Sequence, residues 1–112
     1  MTTVTGNLQE EYVGAILSGF KTKEIRLNEG KWSDVEPGDT LSFNNGAVKV
    51  LVTAREEFDT FKEALSVPGA LQKALPGVST IAEGVEIYWG IPNYKKKESN
   101  VGVVVYDIVL TT

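Results

Sequence analysis

Three charged side chains within six residues carry the chemistry that this sequence can offer. Lys21, Glu24 and Arg26 lie in the segment GFKTKEIR, residues 19–26. A guanidinium presents a planar fork of donors to a phosphate or a base edge, and an ammonium can hold a phosphate or stabilise an oxyanion. A carboxylate can accept from an exocyclic amine or activate water as a general base. We therefore interpret Lys21 and Glu24 as candidate catalytic residues and all three as candidate ligand-binding residues.

The spacing of these residues decides which of them can face one ligand. A strand is predicted over residues 22–27, and side chains two apart on it share a face. Glu24 and Arg26 therefore point the same way, whereas Lys21 joins them only if it precedes the regular strand. The alternative is structural. Glu24 and Arg26 would pair on the surface, worth roughly 0–1 kcal/mol, and Lys21 and Lys23 would complement the carboxyl end of the preceding helix.

The amino-acid composition excludes several kinds of site. The chain has 112 residues and contains no histidine and no cysteine. Ser-His-Asp catalysis, imidazole- or thiolate-ligated zinc and disulfides are therefore excluded. The acidic pairs Glu10-Glu11 and Glu56-Glu57 are typical of helix starts and solvated charge. We expect no metal and no cofactor.

The net charge and the hydropathy of the sequence limit the kinds of partner that we expect the protein to bind. The net charge of −4 argues against broad, non-specific binding to a phosphate backbone, although it allows a local basic cleft. No apolar run approaches the roughly 20 residues that a membrane span needs, and the first residues lack the pattern of a signal peptide. We expect no membrane association, and the missing cysteines are in keeping with a cytoplasmic protein.

The elements around the motif follow from capping and turn signals. Residues 1–6 are predicted to form a polar tail before a helix over residues 8–18. Asn7 and Glu10 form a capping-box pattern at the start of that helix, and Gly19 suits the position after its end. A hairpin is predicted from Thr40–Phe43 to residues 48–55 around Asn-Asn-Gly, with Glu56-Glu57 ending it.

The second half of the chain is predicted to contain short helices and one long strand. Asp59 is placed to cap one helix, and Pro68 suits the first turn of the next. The Thr80–Glu83 capping box favours a helix, although residues 85–89 also suit a strand. Residues 91–100 are interpreted as a polar loop. Residues 101–110 are apolar on both faces apart from Gly102 and Asp107, which is typical of a central strand.

Together these elements predict an α+β fold as a single domain over residues 1–112. Strands near both ends of the chain would flank the central hairpin and curl into a barrel or half-barrel. Short helices would then cover one opening of that barrel.

The motif and its order of neighbours resemble the ASCH domain family, within the PUA-like superfold. Gly19-x-Lys21-x-x-Glu24-x-Arg26 matches the G-x-K-x-x-E-x-R signature of that family. A Pro37-Gly38-Asp39 turn leads into the strand at Thr40–Phe43, and Leu75-Pro76-Gly77 and Gly84-Val85-x-x-Tyr88 follow. The similarity covers nearly all of residues 7–110. It implies a small β-barrel with a cleft lined by the Lys, Glu and Arg of the motif.

The resemblance also implies a ligand. ASCH domains are proposed to bind RNA, nucleotides or nucleosides, so the predicted ligand-binding set is Lys21, Thr22, Glu24, Arg26 and Tyr88. Contacts to an RNA backbone are predicted for four further lysines, with a solvated loop as the alternative for the last three: Lys23, Lys95, Lys96 and Lys97. Tyr94 would be available to stack on a base.

Two further functions stay open. Some members of the family resemble ribonucleases, and others remove the acyl group from N4-acetylcytidine. The amidohydrolase branch has a threonine where this chain has Glu24, so its threonine mechanism does not transfer. Its later catalytic glutamate would correspond to Glu83 or Glu86. The remaining alternative is a protein-interaction module in transcription or RNA processing, with an exposed apolar patch around Trp32.

Overall fold

The computed structural model describes residues 1–111, and these form an α+β fold with one mixed sheet. The sheet has five strands. Their bounds are β1 Thr3–Gly6, β2 Lys23–Leu27, β3 Thr40–Phe43, β4 Val48–Phe58 and β5 Val103–Leu110. The helices are α1 Glu10–Leu17, α2 Phe61–Ser66, α3 Ala70–Ala74, α4 Ile81–Trp89 and α5 Tyr94–Val101, with a 3₁₀ turn at Gly30–Asp34.

The sheet is a strongly curled half-barrel. Its strand order is β1-β3-β4-β5-β2, with β1 parallel to β3 and every other pair antiparallel. The predicted fold class is confirmed, and so is the interior position of β5 between β4 and β2. No helix in the described part of the chain is long and apolar enough to cross a membrane.

The core lies on both faces of β5, which explains why that strand is apolar at every position except Asp107. Val104, Tyr106 and Ile108 pack inside the half-barrel with α1 and the hairpin strands. Val103 and Val105 pack on the other face, among residues of β2 and of the helices α2, α3 and α4. Successive side chains of a strand alternate between faces, so one strand supports both clusters.

The first strand corrects one prediction. Residues 1–6 are not a tail, because Thr3 to Gly6 pair in parallel register with Thr40 to Phe43. The sequence signal was the run of β-branched residues Thr3, Val4 and Thr5, which favours extended backbone. Its partner strand is more than thirty residues away, so no local pattern identifies the pairing.

Helix α1 is confirmed, but the predicted capping box at Asn7 is wrong. The N-cap is Gln9, and it makes no side-chain cap bond. Asn44 is the cause: its side chain accepts from the Leu8 amide at 2.8 Å and donates to the Leu8 carbonyl at 2.9 Å. These two bonds hold Leu8 outside the helix, so the helix begins at Glu10.

The hairpin is confirmed, with Asn44 and Asn45 at φ 53° and 57°. Strand β4 nevertheless continues past Glu56-Glu57, because Phe58 still pairs with Val103. The cap of α2 is Thr60 and not Asp59, since the Thr60 side chain accepts from the Glu63 amide at 3.1 Å. Helix α3 begins at Ala70, two positions after Pro68.

The region after Pro76 contains one confirmed element and one error. Thr80 caps α4 as predicted, and the helix was the correct alternative over residues 85–89. Residues 91–100 are not a loop, because α5 occupies Tyr94–Val101. Glu98 gives the physical reason: it is buried and accepts from the Phe61 amide at 2.7 Å and from the Trp89 indole at 3.2 Å.

Candidate functional site

The turn after α1 places Lys21 beside Glu24. Gly19 lies at φ +82°, the left-handed conformation that glycine adopts without strain. The Gly19 amide donates to the Ile16 carbonyl at 3.0 Å, and the Phe20 amide donates to the Ala15 carbonyl at 2.9 Å. This Schellman ending delays β2 until Lys23, so Lys21 precedes the regular strand. The condition for Lys21 to join Glu24 is therefore met.

All three donors of the Lys21 ammonium have partners in the folded chain. Its Nζ lies 2.6 Å from the Ala74 carbonyl, 2.7 Å from the Lys23 carbonyl and 3.2 Å from Oε1 of Glu24. The side chain is buried, with 4% exposed. Ala74 is the last residue of α3, so Lys21 satisfies the carboxyl end of that helix and links it to β2.

Glu24 is shared between two cations. Its Oε1 faces Lys21, and its Oε2 accepts from Nε of Arg26 at 2.6 Å. Arg26 also donates from Nη2 to the Asn7 carbonyl at 3.1 Å, and its guanidinium lies 4.4 Å from the Trp32 ring centroid. Arg26 is thus held in place by a carboxylate, a carbonyl and an aromatic face.

Burial and neighbouring charges shift the pKa values of Lys21, Glu24 and Arg26 in different directions. Burial lowers the pKa of Lys21, and Glu24 offsets this only in part. Burial alone would raise the pKa of Glu24, but Lys21 and Arg26 outweigh it and hold that pKa below its ordinary value. Burial likewise opposes the charge of Arg26, and Glu24 and Tyr94 reverse this and raise its pKa. Glu24 therefore remains ionised at neutral pH.

A cavity of about 250 Å³ opens over this cluster. Its polar wall contains Lys21, Glu24 and Arg26, and its aromatic wall contains Tyr12, Tyr88 and Tyr94. The remaining lining residues are mostly apolar or amide side chains: Asn7, Leu8, Gln9, Ile25, Leu75, Ile87 and Ile91. We call this cavity the cleft.

The tyrosines of the cleft keep their protons at neutral pH. Burial raises the pKa of Tyr88 well above its ordinary value, with Glu24 and Tyr12 adding to the effect. Burial also raises the pKa of Tyr12 and of Tyr94. The Tyr88 ring is stacked on Phe61 with centroids 4.5 Å apart, so its position is set by the helical core. These phenols can act as hydrogen-bond donors to a ligand.

Two predicted neighbours of the motif lie away from the cleft. Thr22 is not among the residues that line the cleft, and it borders a different depression near Ile108. Its carbonyl accepts from the Ile108 amide at 3.0 Å. Lys23 pairs with Asp107 at 2.6 Å, on the opposite strand face from Glu24.

The lysines of residues 95–97 and the later glutamates also fall outside the cleft lining. Lys95 lies 4.6 Å from the Trp89 ring centroid, and Lys97 pairs with Glu29 at 3.3 Å. Lys96 is exposed on α5. Glu83 belongs to the Thr80 cap, and Glu86 is exposed at the edge of another depression, beside Trp89.

Several cleft residues were missed by the sequence reasoning. Tyr12, Ile87 and Ile91 were not among the predicted site residues. The spacing of Ile87 and Ile91 could have indicated their role, because residues four apart share one side of a helix. They lie with Tyr88 at the end of α4 and line the cleft. Tyr94 reaches the cleft because α5 begins there.

The arrangement is suited to binding a small polar ring. The donors of Lys21 are engaged by two carbonyls and Glu24, and the carboxylate of Glu24 faces two cations. Arg26 has five donors, of which the bonds to Glu24 and Asn7 use two, and its guanidinium also interacts with the Tyr94 hydroxyl. Among residues 1–111, no group of three or more acidic side chains is placed to hold a metal ion.

The fold is a curled, five-stranded half-barrel with short helices, and its cleft is lined by Lys21, Glu24 and Arg26 after helix α1. This combination defines a domain of the PUA-like class. The family model described as ASCH domain matches residues 7–111, and the chain belongs to the ASCH domain family.

Two solved structures resemble the whole chain. The crystal structure of hypothetical protein PH0355 is 36% identical with a TM-score of 0.91, covering 98% of this chain and 99% of that one. The solution NMR structure of protein PF0455 from Pyrococcus furiosus is 34% identical with a TM-score of 0.80, covering 97% of each chain. No curated protein matches the chain.

Proposed function

We propose that this ASCH domain binds a nucleobase in the cleft, either as a nucleoside or as an unstacked nucleotide of RNA. The observation that supports this most is the composition of the cleft. A cavity of about 250 Å³ combines an ionised carboxylate and a guanidinium with three tyrosines. Proteins recognise unstacked bases with this combination of edge hydrogen bonds and aromatic or apolar faces.

The size of the cleft supports a small, flat ligand. Pockets for drug-sized molecules are typically about 300–1,000 Å³, and this cleft is slightly smaller. A helical RNA duplex does not fit a cavity of this kind, whereas a single heterocycle does. Arg26 supplies donors for ring carbonyls, and the phenols of Tyr88 and Tyr94 supply further donors. Ile87 and Ile91 supply apolar contact for the face of the ring.

The electrostatics support binding more than hydrolysis. A general base works best when its pKa lies near the working pH, and the pKa of Glu24 is instead lowered by Lys21 and Arg26. An oxyanion donor must be free to meet developing charge, and Lys21 already donates to two carbonyls. The Lys21–Glu24 pair therefore serves to hold Arg26 and the wall of the cleft.

The test is a titration of isotope-labelled protein with the four common ribonucleosides, followed by amide NMR. We expect shifts concentrated at residues 21–26, Tyr88 and Tyr94. Arg26→Lys should weaken binding by about tenfold or more, because an ammonium cannot replace the planar fork. Arg55→Lys is the matched control, since Arg55 also pairs with a carboxylate two residues away, Glu57 at 2.7 Å, outside the cleft.

The proposal would be wrong if neither nucleosides at millimolar concentration nor a short single-stranded RNA shifted these residues. Incubation with N4-acetylcytidine and with RNA provides the contrast with a hydrolase. Product that appears with the parent protein and disappears with a Glu24→Gln variant that thermal unfolding shows to be folded would favour catalysis at this site.

A further inference from the structure

A second depression runs beside the cleft and has a different character. It is an open groove of about 440 Å³ between β1 and the turn of the β3–β4 hairpin, bordered by residues 5–7, Lys31, Asn45, Gly46 and Lys49. Of the described residues that line it, two are lysines and none is acidic. In a chain with a net charge of −4, this is a local concentration of positive charge. We call it the basic groove.

The two lysines lie on opposite borders of the groove. Lys31 donates from its Nζ to the carbonyl of Thr5, so its ammonium is held over β1. The Lys49 side chain extends beside Gly46, at the turn of the hairpin. Both lysines are exposed, and no ion pair is described for either of them within residues 1–111.

The basic groove borders the cleft at one residue. Asn7 lines both, and its carbonyl accepts from Nη2 of Arg26 at 3.1 Å. The Trp32 ring lies near one cation of each depression. Its centroid is 4.4 Å from Cζ of Arg26, in the cleft, and 5.4 Å from Nζ of Lys31, in the groove. The cleft and the basic groove therefore adjoin each other at Asn7.

We propose that the basic groove holds a phosphate of the strand whose base occupies the cleft, so that the ligand is single-stranded RNA. This inference rests on the proposed function of the cleft. Lysine ammoniums are compact donors that bind phosphate as point charges. None of the four lysines first predicted to contact RNA lines the cleft or the basic groove. Lys23 is paired with Asp107, and Lys97 is paired with Glu29.

The experiment compares ligands that differ by a phosphate. Binding of a ribonucleoside, of its 3′- and 5′-monophosphates and of a short, labelled single-stranded RNA is measured at several salt concentrations. The groove variant is Lys31→Gln/Lys49→Gln. The matched control is Lys95→Gln/Lys96→Gln, which removes the same charge from α5. The single variant Lys49→Gln is included because replacing Lys31 also removes its hydrogen bond to β1. Thermal unfolding checks that each variant is folded.

The expected result separates the two sites. The parent protein should bind a monophosphate and the RNA more tightly than the nucleoside. The groove variant should lose that gain, about tenfold for RNA at 0.1 M salt. The slope of log K against log salt concentration should become shallower by about 0.7, the contribution of one single-strand phosphate contact. Nucleoside binding in the cleft and RNA binding by the control should not change.

Other outcomes would overturn the inference. If the groove variant binds RNA with the parent affinity and salt dependence while nucleosides still bind, the groove is not a phosphate site and the proposed function stands. If the α5 variant alone loses RNA affinity, the strand runs over α5 instead. If neither nucleoside nor RNA binds the parent protein, the proposed function and this inference both fail.

Discussion

Arg26 donates from Nε to Oε2 of Glu24 across 2.6 Å, while Lys21 lies 3.2 Å from the other oxygen of the same carboxylate. Glu24 is 3% exposed and Lys21 is 4% exposed. One buried carboxylate thus joins the turn after α1, strand β2 and, through the Lys21 bond to Ala74, helix α3. Removing one partner from such a cluster leaves an uncompensated buried charge.

Glu24→Ala should lower the free energy of unfolding by about 3–5 kcal/mol, because two buried cations lose their common partner. Lys21→Met should also destabilise, and the double variant should lose less than the sum, with a coupling of about 1–3 kcal/mol. Urea unfolding of the four proteins measures this cycle. The pair of Arg55 with the exposed Glu57 supplies the comparison, because solvent reaches its carboxylate, and we expect a coupling of about 1 kcal/mol or less. Equal couplings in the two cycles would contradict this account of the buried cluster.

Stability should fall in acid through the titration of Glu24. Its folded pKa lies below the ordinary value of 4.5 because Lys21 and Arg26 outweigh burial. The unfolded chain then binds more protons between the two pKa values, so the free energy of unfolding rises with pH there. The contribution is complete above about pH 4.5 and is lost as pH falls through the folded pKa.

Glu24→Gln should remove this contribution, and urea unfolding between about pH 3 and pH 7 measures it. Glu56→Gln, at an exposed position of β4, controls for the loss of one negative charge. If both variants show the same pH profile, Glu24 is not the source of the acid sensitivity.

Two glycines should respond to alanine in opposite directions. A methyl group at Gly6 would lie 2.9 Å from the Trp32 ring and 3.3 Å from the Phe43 ring, neither of which can yield easily. Gly6→Ala should therefore destabilise by about 1–3 kcal/mol and change the tryptophan fluorescence. Gly14 lies in α1 with nothing within 4 Å of such a methyl, so Gly14→Ala should stabilise by about 1 kcal/mol. A stabilising Gly6→Ala would show that Trp32 moves freely.

Glu98 should be important for stability and not for ligand binding. Its carboxylate satisfies the Phe61 amide and the Trp89 indole. Glu98→Ala should cost about 3 kcal/mol, since both donors lose a charged acceptor. Urea unfolding followed by fluorescence measures the loss. Glu86 is exposed and borders the same depression as Glu98. Glu86→Ala should therefore change the free energy of unfolding by about 0.5 kcal/mol or less. Lost nucleoside binding with unchanged stability would reverse this assignment.

The amino-acid sequence by itself determined the elements whose signals lie within a few residues of one another. The glycine after α1, the Asn-Asn-Gly hairpin and the Thr80 capping box each depend on neighbouring backbone and side-chain bonds. The apolar run of β5 likewise predicted an interior strand. The motif at residues 19–26 identified the charged wall of the cleft for the same reason, because its spacing on one strand is local.

The contacts between elements that are distant in sequence were decided only by the tertiary structure. β1 is a strand because Thr40–Phe43 lies beside it, and α5 is a helix with a buried Glu98 because Phe61 and Trp89 supply donors. Lys21 reaches Ala74 across 53 positions of sequence. Polar groups are buried only where a partner is found, and that partner is chosen by the packing of distant elements. The ring-lined cleft and the basic groove arise at this level, which no local pattern encodes.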